Sequence, residues 1–237
     1  MISRHHLRLA TALPLALSQL AFAASAKPHV ITLGRWTTVQ LHDNAEDKHL
    51  PLKVRPLLVD AKMKEFTLGP VHDVTDRLFV VQRALRLNDS LPQEPASAPR
   101  WQWQRGGWLL VDRYTGHVSA VNLPDFDATY SEASWYRDYA AYCGVSDDGK
   151  KTYTIVAQIG RRKPVLKKTL TPEKARTETA PEMKDSAPDS TCPAPAWQRD
   201  PARVTFEPAA LPKATFAIRG RIVDVITEDE EEEEASK

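Results

Sequence analysis

A mainly β fold is what the sequence predicts, built as an antiparallel meander, as propeller-like blades or as a β-sandwich. Three observations predict it. Apolar residues recur at every second position in several short runs, the period of a half-buried strand. Tight-turn residues stand between those runs, as in Arg113-Tyr114-Thr115-Gly116 and Ser146-Asp147-Asp148-Gly149-Lys150. Eighteen prolines among 237 residues divide the chain into pieces too short for long helices, because each removes a backbone donor and fixes φ.

The elements follow in chain order. Residues 1–26 read as a secretory signal peptide, with Arg4 and Arg8 ahead of an apolar run from Leu9 to Ala23 and small residues at Ala21, Ala23, Ala24 and Ala26 where a peptidase cuts. The run contains Pro14 and is shorter than the roughly 20 residues that span a bilayer. A secreted or periplasmic protein with no integral membrane segment after signal removal is expected. Export lets Cys143 and Cys192, the two cysteines of the chain, close into a disulfide.

Residues 27–170 form the expected β core. Ile31, Leu33, Val39 and Leu41 share one parity between His29 and His42, as a strand requires. His42, Asp43, Asn44, Glu46, Asp47 and His49 match no metal-ligand spacing and read as a solvated loop. Val54 to Val59 carries Pro56, which marks an edge strand or an irregular extended piece. A short segment with Phe66 and Leu68 ends at Gly69-Pro70, and His72-Asp73 reads as a loop before the strand Leu78 to Leu87. Asn88-Asp89-Ser90 and the prolines at 92, 95 and 99 then form a surface excursion.

Trp101, Trp103 and Trp108 follow, with a polar turn at Gln104-Arg105-Gly106-Gly107. They suit a core, and alternatively a platform for sugars or bases. Trp108 to Asp112 and Val118 to Leu123 form a hairpin in which Gly116 supplies a positive φ. Asp125 and Asp127 lack the further ligands a calcium site needs. Ser134 to Val145 is apolar or aromatic on both parities and reads as one strand covered on both faces. Arg137 and Asp138 interrupt it, and charges there must pair internally or point, with Tyr136, into a binding cleft. Thr152 to Ile159 alternates as an amphipathic strand.

Residues 171–201 are proline, alanine, threonine and charge, a disordered linker by composition. Residues 202–227 hold extended pieces that return to finish the sheet. Residues 228–237 are an acidic, disordered tail.

The signal peptide carries only Arg4 and Arg8, so 30 basic and 31 acidic residues follow it. The run from Glu228 to Glu234 holds seven of those acids, which leaves residues 27–227 with 29 basic and 24 acidic residues, a balance of +5. Between residues 149 and 168 there are seven lysines and arginines and no acid, centred on Arg161, Arg162 and Lys163. Such a patch suits an anionic polymer or an envelope surface, or a solvated basic edge that keeps sheets from pairing. No nucleic-acid partner is expected.

Two turns resemble those of known repeats. Val111-Asp112-Arg113-Tyr114-Thr115-Gly116-His117-Val118 resembles the D-x-x-T-G-x-V turn of quinoprotein-type β-propellers. Val145-Ser146-Asp147-Asp148-Gly149-Lys150-Lys151-Thr152-Tyr153 resembles the S-x-D-G-K-x-x-Y turn of TolB-type blades. The resemblance implies a ligand or partner surface around a central channel and carries over no catalytic residue.

The chain has no G-x-S-x-G, no metal spacing and no phosphate loop, so no catalytic residue, metal or cofactor is assigned. The expected function is a non-enzymatic binding module for a protein or an anionic surface polymer, with Tyr136, Arg137, Asp138, Arg161, Arg162 and Lys163 as binding residues. One alternative is a hydrolase using His72 or His117 as base with Asp73, Asp125 or Asp138. The other is anion or envelope binding through the basic patch alone.

Overall fold

The computed structural model describes residues 28–41, 50–88, 101–170, 192–208, 213–219 and 222–226. Among them are fifteen β-strands and no helix. The expected signal peptide and acidic tail lie outside the described residues, as does residues 171–191 of the expected linker.

The first sheet contains β1 (Ile31–Leu33), β2 (Thr37–Leu41), β3 (Leu50–Val59), β4 (Lys62–Asp73), β5 (Leu78–Asn88), β6 (Trp101–Asp112) and β7 (Val118–Ala120). Strands β2 to β6 form a meander in which each is antiparallel to the next. The ring then closes where β6 meets β2. Five strands is an odd number, so the first and last run the same way and the closing contact must be parallel. It is, at Leu41 beside Trp103.

The strand carrying Pro56 is not an edge. It is bordered on one side by β4 and on the other by β1 and β2 in turn. Its proline is tolerated because it stands where the chain passes from β1 to β2, and the one bond made there, from Gly34 N–H to Pro56 O at 2.8 Å, uses the carbonyl. A side chain at Gly34 would meet Pro56 Cγ at 2.5 Å, so glycine permits the approach.

Other expectations are corrected in the same sheet. Residues His72 and Asp73 belong to the end of β4, which continues past Gly69-Pro70 with a register shift between Leu68 and His72. Gly106-Gly107 is no turn: β6 runs unbroken through it, and the extra residue is a bulge against β5 between Gln82 and Ala84. The hairpin after Asp112 is present, with Gly116 at φ +65° and the Asp112 carboxylate accepting from Tyr114 N–H at 2.8 Å. Arg77 bonds the same carboxylate through Nε at 2.9 Å and holds it well below the usual carboxylate range. Leu57, Phe79, Val81, Leu109 and Val111 pack as one buried cluster of this sheet; Val54, Leu68 and Ala84 form another.

The other eight described strands form two four-stranded antiparallel meanders. One contains β8 (Ser134–Tyr136), β9 (Tyr139–Val145), β10 (Thr152–Gln158) and β11 (Leu166–Leu170); the other β12 (Ala196–Arg199), β13 (Ala202–Phe206), β14 (Ala214–Arg219) and β15 (Ile222–Ile226). Thus the C-terminal strands build a sheet of their own, and β12 lies within the span read as linker. The two sheets share a core of Ala141, Cys143 and Val156 from the first with Val204, Phe206, Phe216 and Ile218 from the second, the arrangement of sandwich layers. The seven-stranded sheet, by contrast, closes on itself as an open blade does not.

The stretch Ser134 to Val145 is two strands rather than one. Arg137-Asp138 is the turn between them, with Tyr136 opposite Tyr139 and Arg137 at φ +53°. Strand β10 is also covered on both faces: Val156 belongs to the sandwich core, while Ile155 and Ala157 pack with Ala140 and Tyr142. Its threonines are therefore buried, Thr154 completely so. Burial also pushes the Tyr142 phenol up, and its hydroxyl donates to Pro124 O at 2.7 Å.

The disulfide forms between Cys143 and Cys192, with Cα atoms 6.1 Å apart across 49 residues. Cross-linking a loop of that length stabilises by about 4 kcal/mol, chiefly by restricting the unfolded chain.

Candidate functional site

The disulfide positions a wall. Cys192 N–H donates to Tyr130 O at 3.2 Å and Glu132 N–H donates to Cys192 O at 3.3 Å, so the half-cystine clasps residues 130–132 from both sides. Ser131 completes the clasp from below, its buried hydroxyl donating to Cys143 O at 2.7 Å. The chain that leaves this clasp supplies Glu132, Ala133, Ser134 and Trp135 to one side of a cleft of about 470 Å³.

The closed sheet supplies the other side. Lys53 comes from β3, Leu68 to His72 from β4, Gln82 from β5, and Arg105 and Trp108 from β6. Two irregularities aim these residues. Gly69, at φ +59°, turns β4 at its register shift, and the Gly106-Gly107 bulge separates Arg105 from Trp108 by one residue more than the opposite strand allows.

Four contacts join the two walls. His72 Nε2 lies 2.8 Å from Arg137 O; a carbonyl only accepts, so Nε2 carries the hydrogen. The His72 and Trp135 rings stack at 6.1 Å, and Trp135 meets Trp108 edge to face at 5.2 Å. Arg105 and Glu132 form an ion pair at 3.0 Å.

Hydrogen-bond bookkeeping singles this cleft out. Among the described residues, three buried side-chain atoms without a hydrogen-bond partner, Trp108 Nε1, Ser134 Oγ and Trp135 Nε1, belong to residues lining it. An unpartnered buried donor costs about 1–3 kcal/mol, so three on one cleft are a concentrated expense that the fold retains. Together with two indoles and a few charged groups, they make the kind of apolar pocket with sparse polar points that binds small molecules.

The residues singled out from the sequence are placed as follows. Tyr136 donates to Arg199 O at 3.4 Å and packs beside Trp197, directed at β12. Arg137 is exposed over the Tyr136 ring, 5.3 Å from its centre, and only its carbonyl reaches the cleft. Asp138 accepts from Gln158 Nε2 at 2.8 Å. None of the three lines the cleft, and the charged pair meets other groups rather than each other. Arg161, Arg162 and Lys163 stand in the β10–β11 connection and make no ion pair among the described residues. Nearby Lys167 pairs with Asp125 at 2.8 Å, which pushes the ammonium up.

Among the hydrolase candidates, Asp73 pairs with Arg113 at 2.5 Å and Asp125 with Lys167. His72 has Arg137 O, and His117 is exposed on the β6–β7 hairpin. The histidine–aspartate pair that does form, His29 with Asp60 at 2.6 Å, is exposed, and the Val30 N–H and His29 both hold Asp60 below its usual range. No group of three metal-ligating side chains occurs among the described residues. The three tryptophans of β6 separate: Trp101 is exposed beneath Arg86, Trp103 packs on Phe66, and only Trp108 enters the cleft.

The sequence reading missed Trp135, Ser134, Arg105 and Glu132 because nothing in their spacing shows that β8 returns beside β6. Compared with protein-family models, with curated proteins and with solved structures, the chain matches none.

Removing one orphan donor should help the fold. Ser134→Ala is expected to raise the free energy of unfolding in urea by about 1 kcal/mol, whereas a loss of that size would mean the hydroxyl has a partner.

Proposed function

We propose that the protein is an exported, non-enzymatic binding module whose ligand lodges in the cleft between the closed sheet and the β8 wall. The observation that carries this reading is the convergence of three unpartnered donors and two indole rings on one cavity. A fold under selection for stability alone would bury apolar groups there, since an apolar replacement of similar shape avoids the desolvation penalty. The candidate catalytic carboxylates Asp73, Asp125 and Asp138 do not line this cleft.

Export is supported by the N-terminal pattern of residues 1–26 and by the disulfide, a bond that persists in oxidising compartments. No helix among the described residues is long and apolar enough to cross a membrane.

The chain has six tryptophans, each giving one indole N–H signal in a ¹⁵N spectrum. Titration with a panel of amino acids, dipeptides, monosaccharides and sugar acids should shift the Trp108 and Trp135 signals saturably. If no member moves them, or if shifts fall only on exposed Trp36 and Trp101, the cleft is not the binding site.

A second reading rests on a separate observation. Arg161, Arg162 and Lys163 leave their charge uncompensated among the described residues, and this suits an anionic polymer held by salt-sensitive attraction. Alanine at all three positions should shift elution from an anionic resin to lower salt. Unchanged elution would remove this reading.

A further inference from the structure

The buried atoms left without a partner in the cleft are lopsided in what they can bond. The Trp108 and Trp135 indoles can only donate, and both nitrogens are without an acceptor. Ser134 Oγ is likewise unpartnered. Glu132, the carboxylate of the lining, is already taken by Arg105 at 3.0 Å. Gln82 Nε2 is committed to Gly106 O at 3.2 Å and His72 Nε2 to Arg137 O. What the three unpartnered buried atoms lack is an acceptor, and two of them, the indole nitrogens, can use no other group.

Its charge is lopsided in the same sense. Arg105 and Glu132 neutralise each other, while Lys53 lines the cleft and makes no ion pair among the described residues. One positive charge is left over. The remaining lining is largely apolar, with Leu52, Leu68, Val71 and Ala133 beside the two indoles.

We propose that the cleft takes a ligand bearing a carboxylate on a ring, with the ring against the Trp108 and Trp135 indoles and the carboxylate meeting Lys53 and the unpartnered donors. An ionised carboxylate is acceptor-only, has about four lone-pair sites and brings one negative charge, which matches one leftover ammonium. A phosphate ester at neutral pH carries nearly two charges and is ordinarily met by arginine clusters or by runs of backbone N–H groups. This lining has one arginine, and a glutamate holds it. A neutral sugar or amide can accept from the same donors but brings no charge to meet Lys53.

The same geometry says how the ligand enters. The three donors are buried and Trp108 and Trp135 touch edge to face, so a ligand that reaches them must displace the groups that cover them. Binding therefore changes the surroundings of both rings.

This inference rests on the proposed cleft, and its test separates the two. Benzoate and glucuronate are compared with benzyl alcohol and glucose, and with inorganic phosphate, by following the six indole N–H signals in the full chain. A carboxylate should shift Trp108 and Trp135 with a dissociation constant at least about tenfold lower than its neutral counterpart, the scale of one charge-assisted hydrogen bond. Exposed Lys53 can be changed without disturbing a core, and Lys53→Met should weaken the carboxylate by about tenfold while leaving the neutral ring compound unaffected. Equal binding of the neutral compounds, tighter binding of phosphate, or no effect of Lys53→Met would overturn the carboxylate while the shifts at Trp108 and Trp135 still upheld the cleft. Silence from both carboxylates would overturn the inference, and the cleft itself would fall only if the wider panel were silent too.

Discussion

The bond between Cys143 and Cys192, with the clasp around Ser131, is the constraint on which the candidate site depends. Cys143 sits in the middle of β9, fully buried in the core shared by the two four-stranded sheets. Cys192 stands just before β12 and meets residues 130–132 through its own backbone. One covalent link thus fastens the second sheet to the first and fixes the strand of chain that leads into β8. Ala133, Ser134 and Trp135 follow that strand directly and face the closed sheet across the cleft.

The closed sheet meets them with its irregular parts. The Gly69 turn within β4 and the Gly106-Gly107 bulge within β6 both border the cleft. Arg137, held in the left-handed region that glycine normally occupies, gives its carbonyl to His72 at the same place. Bulges, a strained turn residue and unpartnered donors each cost stability, and such departures gather where function requires them. Others stand elsewhere, such as the register shift between Leu57 and Leu58 and the positive φ of Asp60, Ala61 and Asp125, but these four features share one cavity, and the adjoining cores and the disulfide offset their cost.

Much of the fold was legible in local sequence. Gly116 and Gly149 each sit at positive φ in the turns their neighbours announced, and β5 occupies the span its alternation marked out. What misled was context beyond the window. Pro56 reads as an edge signal because it lacks a donor, yet the gap between β1 and β2 makes that donor unnecessary. Arg137-Asp138 looks like charge inside a strand because a two-residue turn needs no glycine when the surroundings hold its first residue. Gly106-Gly107 looks like a turn because a bulge uses the same residues. The cleft was illegible for a different reason: Trp108 and Trp135 are 5.2 Å apart through a return of the chain that no local pattern encodes.

The claim that the disulfide holds the cleft wall is tested most directly by hydrogen exchange on the oxidised and reduced protein under native conditions. The account predicts that reduction speeds exchange of the Glu132 and Cys192 amides and of β8 by about tenfold or more, while the Phe79 to Val81 amides of the closed sheet keep their protection. Equal protection of the wall in both forms would contradict it.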